Sequence, residues 1–317
     1  YWSVELWQEG KIISSTGPNR FKTMSSERPI ASESVDTLAF YFNEVLNIVS
    51  LSSAGLEIVE IPYQYDGKNS AILNGDLLYV IDQSGKLSTI NYRTGEAKVI
   101  DTLVTNTVPE KLIMEGGYLW ILDTKSAGMV IRVVLNESGI PERMESVYRD
   151  WTTPVDLFVT QDLSRIYLAD ALSGIKILER EGETYNDRSS SFEAPLDGYS
   201  RAVAESNGVV YSGEAGIDGG LKVIDITRSR KTNVGRYYIV LEIEVSGSVL
   251  YASTDKGVSI VDISTPDSPV ILRDLELTQV DEISVEGSLL IVRSGNSMLV
   301  YDVEKPNDPV LLESRKE

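Results

Sequence analysis

Residues 245–270 read VSGSVLYASTDKGVSIVDISTPDSPV, and residues 285–310 repeat them as VEGSLLIVRSGNSMLVYDVEKPNDPV. The two segments have the same order of apolar runs, glycine turns and closing prolines, and they lie 40 residues apart. Self-similarity at such a period is typical of a stacked or closed array of supersecondary units. The repeat therefore indicates the architecture, and it warns that most recurring residues are required by folding.

Weaker copies of the same pattern run back to about residue 35. Each copy places one residue at the centre of its second apolar run, and these anchor positions are Asn47, Tyr79, Trp120, Tyr167, Tyr211, Tyr251 and Ile291. Within a copy, apolar residues alternate with a period of two and Gly, Asn or Ser separates the runs, which predicts four short antiparallel strands. Seven such copies predict an all-β, seven-bladed β-propeller with four-stranded blades, and eight blades are the alternative.

The first 34 residues do not follow the repeat. Trp2–Gln8 and Lys11–Ser15 predict a hairpin that turns at Glu9-Gly10, and residues 17–34 are rich in Pro and Ser. We therefore divide the chain into an N-terminal hairpin and linker, 1–34, and a propeller, 35–317. We expect the hairpin to help close the ring, and an eighth blade built from both termini is the alternative.

Composition excludes several function classes. The net charge of −19 disfavours nucleic-acid binding, because a phosphate backbone would be repelled. The chain has no cysteine and no histidine, so it can form neither a Ser-His-Asp nor a Cys-His catalytic site. A metal would need oxygen ligands, which favours calcium or magnesium. No apolar run reaches the roughly 20 residues that a membrane-spanning helix needs.

The segment Gly257–Pro269, together with Gly220–Thr227 and Met298–Pro309, resembles the LVIVD-repeat family of β-propellers. Tyr79, Tyr167, Tyr211 and Tyr251 fit the tyrosine of the family's second strand. The resemblance is specific over residues 199–317 and diffuse over 35–198. It implies an exported, periplasmic or cell-surface protein whose signal is not visible in this chain, and it implies no catalytic residue set.

Two groups of acidic residues are predicted to open toward one face of the propeller. One group follows the second strands and comprises Asp82, Asp123, Asp170 and Glu214, and the other begins the inner strands and comprises Asp36, Asp156, Glu242 and Glu282. Either each acid caps its own turn, or several converge on a cation, because unpaired carboxylates at close range repel one another. We take the first group as the candidate ligands of a possible calcium ion. The acids that end third strands, Asp225, Asp262 and Asp302, are predicted to cap turns.

The loops that lead into the inner strands carry aromatic and basic residues, which are enriched in binding hot spots and otherwise pack between blades. The candidate ligand-binding residues are Arg149, Trp151, Tyr199, Arg201 and Tyr237. The opposite face is predicted to consist of tight turns, among them Asn43-Glu44, Asn74-Gly75 and Gly287-Ser288, which are too short to enclose a ligand.

These patterns favour a non-catalytic binding or scaffold propeller that presents an acidic and aromatic face to a protein or glycan partner. The alternative is a calcium-assisted hydrolase or lyase that uses carboxylates, since paired carboxylates can perform acid–base chemistry without histidine.

Overall fold

The structure is a computed structural model that describes residues 4–8, 11–16, 36–42, 45–61, 71–93, 98–104, 108–124, 128–150, 153–192, 196–228, 230–235 and 237–316. The chain forms two compact units, Tyr1–Ser34 and Val35–Glu317. In the first unit, β1 (Val4–Gln8) pairs antiparallel with β2 (Lys11–Thr16), as the hairpin pattern predicts. The role of this hairpin in closing the ring stays a prediction. No helix among the described residues is long and apolar enough to cross a membrane.

The second unit consists of seven antiparallel sheets in chain order, each of which is one blade. Blades one and two contain β3 (Asp36–Phe42), β4 (Val45–Ser52) and β5 (Gly55–Ile61), then β6 (Ala71–Asn74), β7 (Leu77–Ile81), β8 (Lys86–Asn91) and β9 (Lys98–Val104). Blades three and four contain β10 (Pro109–Glu115), β11 (Tyr118–Asp123), β12 (Met129–Leu135) and β13 (Pro141–Arg149), then β14 (Pro154–Val159), β15 (Arg165–Asp170), β16 (Gly174–Glu181) and β17 (Thr184–Asp187), with a 3₁₀ turn at Ser189–Ser191.

Blades five to seven follow the same plan. They contain β18 (Ser200–Ser206), β19 (Val209–Glu214), β20 (Gly220–Asp225) and β21 (Arg230–Val234), then β22 (Val240–Ser246), β23 (Val249–Thr254), β24 (Gly257–Asp262) and β25 (Val270–Glu276), and finally β26 (Glu282–Glu286), β27 (Leu289–Ser294), β28 (Ser297–Asp302) and β29 (Val310–Lys316). The predicted seven-bladed, all-β propeller is thus confirmed. Six blades have four strands, and the first has three within the described residues.

The hydrophobic core is divided among the interfaces between blades. The described residues form seven clusters of buried apolar side chains, and each cluster joins two neighbouring blades. One of them packs Phe40 and Val49 of the first blade against Leu289, Ile291 and Val300 of the last. Because the seventh interface is packed like the other six, the ring is closed by side-chain burial between blades one and seven.

The first blade is reversed relative to the last. In the regular blades, inner strands run side by side in one direction: Asp156 near the start of β14 accepts a hydrogen bond from Val203 N, early in β18. Asp36, which begins β3, instead accepts hydrogen bonds from the backbone and hydroxyl of Ser288, just after the end of β26. The prediction that Asp36 shares a face with Asp156, Glu242 and Glu282 is therefore wrong.

The reversal also moves the turn that follows β3. Phe42 and Val45, which flank Asn43-Glu44, line a small cavity together with Arg315 and Lys316 at the end of β29. Lys316 pairs with Ser297, which begins β28, so these residues lie at the end of blade seven opposite Gly287-Ser288. The prediction that Asn43-Glu44 joins the tight turns of the opposite face is wrong for the same reason. Asn43 and Glu44 themselves lie outside the described residues.

Candidate functional site

In the regular blades, two kinds of loop meet on one side of the ring. Asp123 Oδ1, at the end of β11, accepts a hydrogen bond from Val108 N at 2.8 Å, just before β10. Asp170, at the end of β15, accepts one from Thr153 N at 3.2 Å, just before β14. The loops after the second strands therefore adjoin the loops that lead into the inner strands, as the sequence predicts. We call this side the loop face.

The four acids predicted as calcium ligands are each engaged in their own blade. Asp82 Oδ1 accepts backbone hydrogen bonds from Ser84 and Lys86, and Asp170 Oδ1 accepts them from Leu172 and Ser173. Although burial opposes ionisation, these bonds lower the pKa of Asp170. Turn capping thus accounts for both carboxylates.

The other two acids of this set are also engaged. Asp123 accepts the Val108 bond described above, and Lys231 Nζ lies 2.7 Å from the buried Glu214 Oε1. Among the described residues, no group of three or more acidic side chains is placed to hold a metal ion. A calcium site formed by Asp82, Asp123, Asp170 and Glu214 remains a prediction without support from their geometry.

The candidate ligand-binding residues separate into exposed and buried ones. Tyr199 is 60 % exposed, and Arg149 and Arg201 are also exposed. Tyr237 is buried, and its hydroxyl lies 2.7 Å from Ser259 Oγ and 2.9 Å from Asp274 Oδ1. A ligand at the surface cannot reach it, so the prediction for Tyr237 is corrected: its ring packs into the apolar cluster between blades five and six. Trp151 lies outside the described residues.

Exposed apolar side chains concentrate on the loop face of blades four to six. We name this set the blade 4–6 patch: Leu172 (71 % exposed), Tyr199 (60 %), Ile217 (95 %), Tyr238 (68 %), Ile239 (39 %) and Leu241 (46 %). Contiguous apolar surface on a soluble protein marks an interaction site, whereas single exposed apolar residues need no explanation. The patch is the first candidate for a functional site.

Backbone hydrogen bonds connect the loops that carry the patch. Ala215 N donates to Tyr199 O at 3.2 Å, Gly216 N donates to Tyr238 O at 3.2 Å, and Asp255 N donates to Ile239 O at 3.2 Å. Ala215 and Ile239 also form an isolated β-bridge. These bonds hold the loops of blades five and six together, so this part of the patch is ordered before any partner arrives, which lowers the entropic cost of binding.

The central channel forms the second part of the site. It is a cavity of about 700 Å³ between the inner strands. Leu241 and Arg201 line this cavity and are also exposed, so the patch continues into the channel. Seven acidic residues line the same cavity, and four of them, Asp156, Glu242, Glu244 and Glu282, lie near one another on blades four, six and seven.

Two of these carboxylates have a cationic partner. Lys111 Nζ lies 2.5 Å from Asp156 Oδ1, and Arg293 Nε lies 3.2 Å from Glu282 Oε2. Burial opposes the charge on Lys111, but the attraction of Asp156 prevails and raises the pKa of the ammonium. Burial raises the pKa of Glu282 to about 7, although Arg293 opposes the shift.

Glu242 and Glu244 have no such partner. Glu242 Oε2 accepts a hydrogen bond from Ile283 N at 2.7 Å, and Glu244 makes no hydrogen bond or ion pair within the described part of the chain. Burial, followed by repulsion from Glu282, raises the pKa of Glu242 to about 8. Burial also raises the pKa of Glu244. The channel therefore contains two carboxylates whose negative charge is poorly compensated.

Several site residues lie beyond what the sequence analysis named. Ile217 and Tyr238 are the most exposed side chains of their type in the patch, and Lys111 and Glu244 line the channel. A signal existed for Ile217, which is an isoleucine in a Gly-rich turn. Glu244 gave none, because Glu242 and Glu244 alternate with Ile243 and Val245 in the ordinary pattern of a strand with one polar face.

No family model and no curated protein matches the sequence. Solved structures match the fold. The structure of a proposed 6-phosphogluconolactonase from Bacteroides fragilis is similar over 92 % of this chain and 97 % of that one, with a TM-score of 0.64 and 12 % identity. A protein described as functionally unknown from Desulfotomaculum acetoxidans matches over 88 % and 95 %, with a TM-score of 0.63 and 9 % identity.

A third match is a chain of the nidogen–laminin complex. The similarity covers 76 % of this chain and 93 % of the chain in that complex, with a TM-score of 0.54 and 14 % identity. At such low identities the likeness is one of fold. Proteins with unrelated roles share this architecture, so function must be argued from the site.

Proposed function

We propose that this chain is a non-catalytic binding propeller that docks a protein partner on its loop face. The observation that carries the proposal is the blade 4–6 patch, where six large apolar side chains are exposed on the loop face and backbone hydrogen bonds join the loops of blades five and six. Two of them are tyrosines, a residue type that is enriched in binding hot spots because it combines a large contact area with few rotatable bonds.

Charge complementarity specifies the kind of partner. The chain has a net charge of −19, and the patch borders a channel in which Glu242 and Glu244 lack cationic partners. Asp218 follows Ile217 in the same exposed loop. A protein surface that combines apolar and basic side chains would complement both features, and long-range attraction would accelerate its association.

Catalysis is the less favoured function. Histidine and cysteine are absent from the sequence, and the predicted metal-binding carboxylates cap turns or pair with lysine in their own blades. Similarity to a proposed lactonase rests on fold alone at 12 % identity. Binding of a partner, in contrast, requires only an exposed apolar surface and complementary charge, and the blade 4–6 patch and the acidic residues beside it provide both.

We propose an exported or cell-surface location as well. Its support is the resemblance of the Gly257–Pro269 segment to LVIVD repeats, which the seven-bladed fold accommodates. Fractionation of the native cells, followed by detection of the chain with an antibody, tests this location. Recovery of the chain solely from the cytosol would contradict it.

The partner class is tested by selecting binders from a displayed peptide library and, in parallel, on a glycan array. We expect peptides to be selected by the native chain and lost from the double variant Ile217→Ser/Tyr238→Ser. The matched control is Val270→Ser, which removes an exposed apolar side chain from the outer strand β25. If the patch variant retained every selected peptide, or if binding occurred solely on the glycan array, the proposal would be wrong.

A further inference from the structure

The channel beside the patch has an excess of negative charge. The anionic groups that line it are Glu110, Asp156, Glu242, Glu244, Asp281, Glu282 and Glu286, and the cationic groups that line it or pair with its carboxylates are Lys111, Arg201 and Arg293. Lys111 and Arg293 are each paired with one carboxylate, and the seven acids outnumber the three cations. An incoming positive charge would thus meet unpaired negative charge inside a cavity, where water screens it less than at an open surface.

Of the channel carboxylates, Glu244 is the one we expect to form an ion pair with such a charge. Its neighbour in the alternating pattern, Glu242, is tied to Ile283 N of the next blade, whereas Glu244 has no bonded partner among the described residues. Both belong to β22, the strand that also carries Leu241 of the patch. The distance between the docking surface and the carboxylates is therefore set by a single rigid strand.

We propose that the protein partner docked on the blade 4–6 patch inserts a lysine or arginine side chain into the central channel, where its cationic group pairs with Glu244 and Glu242. The proposal deepens the proposed function and rests on it for the source of the side chain. The shared chemistry is an alkylammonium or guanidinium group, which a small free molecule could also supply.

A side chain suits the channel better than a metal ion. Among described residues, no three acidic groups are arranged to coordinate a metal, and Lys111 already occupies the space beside Asp156. A long basic side chain needs one or two carboxylates at its tip and apolar contacts along its stem. Leu38, Ile72 and Ile113 line the same cavity and can supply those apolar contacts.

The channel can be tested without a partner, using n-butylamine and n-propylguanidine as side-chain analogues. We expect saturable binding of both by calorimetry near pH 8.5, where Glu242 is ionised, and no binding of n-butanol. Glu244→Gln should weaken analogue binding at least tenfold. The matched control is Glu286→Gln, which alters a carboxylate beside Asp36 at the far end of the channel and should leave the affinity unchanged.

Three results would overturn the inference: equal binding of n-butanol and n-butylamine, undiminished binding by Glu244→Gln, or binding of calcium chloride in place of the amines.

Peptides selected on the patch provide a second experiment, which distinguishes failure of the insertion proposal from failure of the docking proposal. Replacing their Lys by norleucine should weaken binding at least tenfold. If Ile217→Ser/Tyr238→Ser abolishes peptide binding but peptides with norleucine in place of Lys still bind, docking on the patch is supported and insertion into the channel is wrong. If n-butylamine binds Glu244 while the patch variant keeps every peptide, the channel binds free cations and docking is wrong.

Discussion

At the scale of single residues, a recurring set of aspartates caps the turns of the blades. Asp225, Asp262 and Asp302 end the third strands of successive blades, and each accepts a hydrogen bond from the backbone N–H two residues later. The hydrogen bond with the Thr227 side chain is the main cause that lowers the pKa of Asp225. The hydrogen bond from the backbone of Ser264 is the main cause that lowers the pKa of Asp262. The predicted turn-capping role is confirmed. Glu242 and Glu244 differ because they face a cavity.

Glu242 makes stability depend on pH. Its folded-state pKa of about 8 lies above the ordinary glutamate pKa of 4.5, so the folded protein keeps a proton that the unfolded chain releases. The free energy of unfolding therefore falls as pH rises from about 4.5 to about 8, and Glu282 acts in the same direction. Glu242→Gln cannot titrate but can still accept the Ile283 bond. We expect its Tm to fall less between about pH 5 and pH 8 than that of the native chain.

Thermal unfolding followed by circular dichroism across that pH range provides the measurement. Glu304→Gln, on an exposed turn after β28, is the matched control and should keep the native pH dependence. An unchanged slope in Glu242→Gln would show that another group is responsible.

At the scale of elements, glycine fixes the geometry of the third strand. Gly55, Gly174, Gly220 and Gly257 each begin a third strand with φ between +90° and +120°. A Cβ at Gly257 would collide with the carbonyl oxygen of Leu275, in the outer strand of the same blade. The repeated glycine therefore permits both an unusual backbone angle and close packing of strand against strand.

Gly257→Ala should lower the free energy of unfolding by about 2–4 kcal/mol, because strain at a positive φ adds to the steric collision. Gly247→Ala is the matched control: φ is +60° and no atom lies within 4 Å of its Cβ position. Its cost should be about 1 kcal/mol, from the left-handed conformation alone. Chemical denaturation measures both. Equal costs would mean that packing against Leu275 contributes nothing.

The same elements show what the sequence could and could not predict. Glycine positions and period-two alternation define strands and turns, so seven blades follow from the sequence. Alternation carries no direction, and the reversal of β3 was therefore missed. Adjacent residues at the start of a strand point to opposite sides, and the pattern could not tell the buried Tyr237 from the exposed Tyr238. Lys111 reaches Asp156 from the neighbouring blade, which no local pattern reveals, whereas Arg293 lies opposite Glu282 in the hairpin of its own blade.

At the scale of the whole molecule, stability is shared among seven interfaces. Each apolar cluster takes side chains from two blades, so none of these clusters lies within a single blade. Such an arrangement couples neighbours, as in other repeat proteins, but closure removes the free ends at which open arrays fray. We therefore expect the ring to unfold as one cooperative unit.

Closure can be tested by comparing two leucines. Leu289 is fully buried between blades seven and one, and Leu250 is fully buried between blades five and six. If the ring is closed, Leu289→Ala and Leu250→Ala should each lower the free energy of unfolding by about 3 kcal/mol, the ordinary cost of a cavity in a packed core. Urea denaturation measures both. If Leu289→Ala lowered the free energy of unfolding much less than Leu250→Ala does, the interface between blades seven and one would be open.

The reversed first blade limits how many units the chain can join. A polymer of identical repeats offers the same surface at either end, so nothing in it distinguishes the last unit from the next, and it can grow into filaments. Here β3, the inner strand that adjoins blade seven in the ring, runs opposite to the other inner strands, and Asp36 accepts a hydrogen bond from Ser288 N. Because of this reversal, the surface that blade one offers to blade seven differs from the surface that a regular blade offers to its neighbour, so a regular blade could not take its place without losing the Asp36–Ser288 bonds.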